Sequence, residues 1–168
     1  MKRKFLTLMF VLLILPCAFL LTACATNVAG KSYEFDTISA EVNKDISSED
    51  LSKLAVRLKL DSSASREDVE KKLNSDLKSF ADAMKDKENS AYFNTNGKLV
   101  VVMNDVKTEY VWKQNGNVVT VNEVFEDGTV DGGKTAELKV VSASRICVEL
   151  DDMSGDGYQI KMYYKVVS

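Results

Sequence analysis

The chain has 168 residues, with 25 Asp and Glu against 22 Lys and Arg, three Cys, one Pro and no His. Without an imidazole there is no Ser/His/Asp or Cys/His catalysis and no His-ligated zinc, and with a net charge of −3 and no run of Lys and Arg beyond residues 2–4 there is no footprint for nucleic acid. No enzyme, cofactor or metal site is expected.

The N-terminal elements concern address rather than fold. Lys2, Arg3 and Lys4 open the chain, and Phe5 to Leu21 is an apolar run broken by Thr7 and Pro16, the pattern of an export leader. It runs into Leu21-Thr22-Ala23-Cys24, an apolar residue and two small ones before a cysteine. This resembles the lipobox of bacterial lipoproteins. The resemblance implies that residues 1–23 are removed, that Cys24 carries diacylglycerol on its thiol and often a further acyl chain, such as palmitate, on its amine, and that the protein is lipid-anchored at the outer face of the cell membrane, or at the outer membrane in a Gram-negative host. Two chains suffice for stable anchoring. Residues 24–30 would then be a short tether, at most about 25 Å long, to a domain spanning 31–168. Loss of the three leader charges leaves that domain at −6, which predicts repulsion from anionic lipid heads. Cys17 leaves with the leader and Cys24 is consumed, so Cys147 is the one free thiol, expected to be a small strand residue because no base accompanies it.

From 31 to 42 the alternation reads as a strand, but Tyr33 and Phe35 lie on one phase and Ile38, Ala40 and Val42 on the other. A bulge or sharp bend near Asp36 and Thr37 is therefore predicted. A helical insertion, 47–87, follows. Ser47 with Asp50, and Ser65 with Asp68, are capping arrangements. Leu51, Leu54 and Leu58 form the stripe of the first helix, and Val69, Leu73, Leu77, Phe80 and Met84 that of the second, which runs to about Lys87. Such stripes predict packing on the protein's own sheet.

After Ser90 the period changes from 3.6 to 2. Strands are predicted at 91–95, 98–104, 106–114, 117–125, 133–142, 145–151 and 157–167, punctuated by Asn96-Gly97, Asn115-Gly116, Asp127-Gly128, Asp131-Gly132-Gly133 and Gly155-Asp156-Gly157. With the first strand these make eight, and the fold class is mainly β: an antiparallel up-and-down barrel with an inserted helical pair, closed because closure removes two exposed edges. The alternative is an open antiparallel sheet with both helices on one face.

The order strand, helical pair, meander, with Asn94-Thr95-Asn96-Gly97 as one of its turns and Gly30-Lys31-Ser32-Tyr33-Glu34 as a glycine-led opening, resembles the lipocalin-like, calycin-type proteins. The Trp usual two residues after that glycine is Ser32 here. The helix pair between the first two strands is also similar to that of fatty-acid-binding proteins, whose second helix is shorter. The resemblance implies a small hydrophobic ligand in, or at the mouth of, the barrel.

The inward phase then nominates Tyr33, Phe35, Tyr110, Trp112, Tyr158, Ile160, Met162 and Tyr164 as ligand-lining. An eight-stranded barrel is wide enough either to be filled by side chains or to hold one small ligand, and both remain open: a ligand-binding lipoprotein, or a non-catalytic structural or protein-interaction module of the envelope with a filled barrel. Asp152 to Gly157 echoes half a calcium loop but has Tyr163 at the twelfth position where a bidentate Glu belongs, so a hairpin tip is expected there, as at Asp127 and Asp131. No spacing singles out a pair of carboxylates for glycoside chemistry. The expected partners are the membrane, through lipid, and a hydrophobic ligand, with the protein itself a monomer.

Overall fold

A computed structural model describes residues 26–125, 127–150 and 157–167, with the backbone alone at 131 and 133–135. The leader, Cys24 and the Asp152–Asp156 stretch lie outside the described residues. Eight antiparallel strands form a closed barrel in sequence order: β1 (Ser32–Val42), β2 (Asn89–Phe93), β3 (Lys98–Met103), β4 (Val106–Asn115), β5 (Val118–Val124), β6 (Val130–Ser142), β7 (Arg145–Leu150) and β8 (Tyr158–Val166). Two helices, α1 (Ser48–Arg57) and α2 (Arg66–Lys85), lie between β1 and β2. The open-sheet alternative is overturned by the pairing of β1 with β8 from Tyr33↔Val166 to Val42↔Tyr158. Against expectation, β2 begins and ends two residues earlier, at Asn89 and Phe93, and β6 begins three earlier, at Val130. Asn89 explains the first shift: its buried amide donates to the carbonyls of Met84 and Lys87 and accepts from the Asn104 amide, which ties the exit of α2 to the start of the ladder.

The predicted bulge lies between Phe35 and Thr37. It turns the phase so that Tyr33 and Phe35, then Ile38, Ala40 and Val42, all face inward, and it leaves Asp36 outside. There the Asp36 carboxylate accepts from Arg145 Nη2 at 2.8 Å, and the same guanidinium lies 4.3 Å over the Tyr163 ring. A cation held by both a carboxylate and an aromatic face pins the extra residue in place.

β1 meets β2 only over Ser32, Tyr33 and Glu34. Beyond the bulge its free edge runs beneath α2, and α2 supplies the missing partners. Asn74 Nδ2 donates to the Ala40 carbonyl at 2.9 Å while its Oδ1 accepts the Ala40 amide at 2.9 Å, and Glu70 Oε1 accepts the Val42 amide at 3.0 Å. A side-chain amide thus stands in for a strand, as half-buried backbone groups require. Both helices start at the predicted caps, Ser47 and a reciprocal capping box between Ser65 and Asp68. Their apolar faces bury Leu54, Ala55, Val69 and Leu73 against Ala40 and Val42, with Leu77 and Tyr158 at the margin. The stripe of α2 departs from expectation at Phe80, which is exposed, and Ala81 packs on the barrel core instead.

Replacing Asn74 by Leu keeps the volume but leaves two backbone groups of Ala40 without partners. It should lower the unfolding free energy by about 2 kcal/mol, read as a drop in the urea midpoint with an unchanged slope.

Candidate functional site

The register places one end of the barrel at the starts of β1, β3, β5 and β7 and the other at their ends, and the inward residues differ between the two. At the first end they are large. Tyr33 and Phe93 meet edge to face with ring centroids 5.7 Å apart, and Phe93 and Trp112 likewise at 5.4 Å. The Trp112 indole donates to the carbonyls of Asn94 and Lys98. Residues 26–30, expected as a tether, form the floor of this end. Val28 is fully buried among the aromatic rings, and Gln114 holds the strap by accepting the Val28 amide at 3.1 Å and donating to the Thr26 carbonyl at 2.7 Å. Gly30, at φ +74°, turns the chain into β1 and donates to the Phe93 carbonyl. An apolar Val next to a ring cluster buries more surface on the barrel than in water, so this stretch cannot serve as a free spacer.

Towards the other end the same inward phases carry small residues. Phe93 is followed upward by Ala91, and Val140 and Leu138 by Ala136, although Trp112 is followed by Tyr110. A barrel of constant width lined by shorter side chains leaves space, and a cavity of about 400 Å³ opens there, with Leu99, Ile146 and Tyr164 low in it, Val101, Val121, Val148 and Met162 on its walls, and Met103, Glu123 and Leu150 at the rim. Among the described lining residues only Tyr110, Tyr164 and Glu123 carry a side-chain oxygen, so the surface is apolar with polar points. Burial raises the Tyr164 phenol above its ordinary pKa, which keeps it a neutral donor.

Of the eight residues nominated from sequence, Tyr110, Met162 and Tyr164 stand on the cavity wall. Tyr33, Phe35 and Trp112 instead belong to the packed core around it, where Phe35 meets Tyr164 edge to face at 5.9 Å. Tyr158 packs under the helices. Ile160 is half-buried between its register partners Ala40 and Leu150. Large aromatic residues on the inward phase do not identify the small wall residues, because space is made by short side chains. A decrease in side-chain size along one phase was the legible signal.

A second recess of about 370 Å³ lies where β1 and β2 part. It is lined by Glu34, Asp36 and Glu88 with Lys85, Lys87 and Lys165 above Phe35 and Met84. Charges of both signs lie together there, which leaves no net preference for an ionic ligand. Cys147 is buried on the outer side of the wall, and desolvation raises its thiol pKa, so it is a poor nucleophile. Among the described residues there is no cluster of three Cys, Asp or Glu suited to a metal ion, and no helix long and apolar enough to cross a membrane. No family model matches the chain, and no curated protein or solved structure is significantly similar to it.

The Tyr33 hydroxyl is buried and has no hydrogen-bond partner among the described residues, and burial raises its pKa. Tyr33→Phe should therefore leave the melting temperature unchanged or raise it, by up to about 1 kcal/mol of stability. A clear loss of stability would assign the hydroxyl a structural partner.

Proposed function

We propose that the chain is an exported lipoprotein, held through acyl chains on Cys24 at the outer face of a bacterial membrane, whose lipocalin-like barrel binds one small hydrophobic molecule. The observation that carries the binding half is the apolar cavity of about 400 Å³. That size falls within the range of small-molecule sites, and a few oxygen atoms on an otherwise apolar wall orient a ligand without demanding that it be charged. The Tyr164 phenol serves as such a donor. Binding rather than catalysis is assigned, since the wall brings together no nucleophile and base.

The cavity is tested with the neutral dye N-phenyl-1-naphthylamine, whose emission rises in apolar surroundings. The expected result is saturable one-to-one binding that Val148→Phe, which fills the space, weakens at least about tenfold, or 1.4 kcal/mol, at an unchanged melting temperature. Native mass spectrometry of protein extracted from its host should show a bound apolar molecule. No dye binding and no bound mass would favour the second reading, a non-catalytic interaction module of the envelope, which draws on the filled lower half of the barrel. For the anchor, Cys24→Ala should abolish incorporation of labelled fatty acid and release the protein from the membrane fraction.

A further inference from the structure

The two ends of the barrel differ in charge as well as in packing. The segments that form the filled end, 26–31, 94–98, 113–117 and 142–144, contain Lys31, Lys98 and Lys113 and no Asp or Glu. Lys31 Nζ reaches the Ala143 carbonyl, Lys113 is exposed, and Lys98 has Glu109 at 4.0 Å, further up the wall. At the mouth end, the described residues between strands and helices and at the start of β4 include Asp45, Asp61, Asp86, Glu88, Asp105 and Asp127, against Lys44, Lys59, Lys87 and Lys107. The net charge of the chain therefore averages over an acidic mouth and a basic floor, and the repulsion from lipid expected from that average does not hold for the floor.

The course of the chain points the same way. Gln114 fixes the Thr26 carbonyl to the floor, and Cys24, two residues earlier, lies within about 7 Å of Thr26 however the link bends. The mouth is roughly 25 Å away along the strands.

We propose that the floor of the barrel, through Lys31, Lys98 and Lys113, rests on an anionic lipid headgroup surface, so that the cavity opens away from the membrane and exchanges its ligand with the aqueous side. The proposal rests on the lipoprotein reading for its anchor. A short link from Cys24 prevents the molecule from inverting, and a face whose connecting segments carry lysines without Asp or Glu gains beside anionic headgroups where the acidic mouth would be repelled. The mouth has an exposed apolar collar, Met103, Val106, Phe125, Val130 and Leu150, which taken alone would fit lipid. The carboxylates of Asp105 and Asp127 within that collar, and the position of Thr26 at the opposite end, oppose an inverted arrangement.

Trp112, the single tryptophan, is a native reporter of the floor. The full chain is produced in a lipoprotein-processing bacterium, extracted, and reconstituted in phosphatidylglycerol and phosphatidylcholine vesicles containing a lipid with a nitroxide on its headgroup. The comparison is the double variant Trp112→Phe, Val106→Trp, which moves the reporter to the exposed collar, and the mass of the N-terminal peptide is read in parallel. Trp112 should lose most of its emission and the moved reporter little, and Lys98→Glu with Lys113→Glu, or vesicles of phosphatidylcholine alone, should restore part of the lost emission. An acylated chain with equal quenching at both positions, stronger quenching at the mouth, or none at Trp112 overturns the orientation and leaves the anchor standing. Quenching of Trp112 that neither the charge reversal nor the neutral vesicles reduces overturns the role of the lysines. An unacylated Cys24 peptide overturns the anchor and the orientation together.

Discussion

The fold depends on how β1 satisfies two edges at once. One edge is paired with β8 along almost its whole length, and this closes the barrel. The other has β2 for three residues and then loses it. An exposed run of unpaired amides and carbonyls would invite association with another chain. Asn74 and Glu70 of α2 prevent this by offering side-chain groups where a strand would offer backbone. The helical pair is thus part of the closure of the barrel, and its apolar faces contribute a second core over Ala40 and Val42.

The bulge at Asp36 makes this division workable. Without the extra residue, either the aromatic half of β1 or its aliphatic half would face water, because side chains alternate strictly along a strand. With it, Tyr33 and Phe35 enter the barrel core while Ala40 and Val42 meet the helices. The Arg145 guanidinium, held by Asp36 and stacked on Tyr163, ties the irregular point to β7 and β8. One strand therefore serves two cores.

The barrel is neither filled nor hollow. Its floor is packed by Val28, Tyr33, Phe93 and Trp112, and its upper part is kept open by Ala91, Ala136 and a set of valines. Rigid aromatic packing at one end fixes the strand positions, so the small side chains above need not collapse on one another. The same floor binds the N-terminal strap. Stability, the cavity and the position of residue 26 are consequently linked through one cluster of rings.

Much of the fold was legible in the sequence, because its signals are local. The change of period at Ser90, the caps at Ser47 and Ser65, the turns at Asn and Gly, and the phase slip at Asp36 each involve neighbours a few residues apart, and together they determine element order and barrel topology. What they leave undecided depends on atoms from strands far apart in the chain. Whether inward side chains fill a barrel is a sum of volumes over several strands, so Tyr33 and Trp112 became core and Ala136 became cavity wall for reasons no single strand contains. The use of Asn74 as a strand substitute, and the docking of Val28 by Gln114 across 86 residues of sequence, follow from backbone groups left unpaired by the tertiary arrangement. Such needs exist only once the barrel has closed.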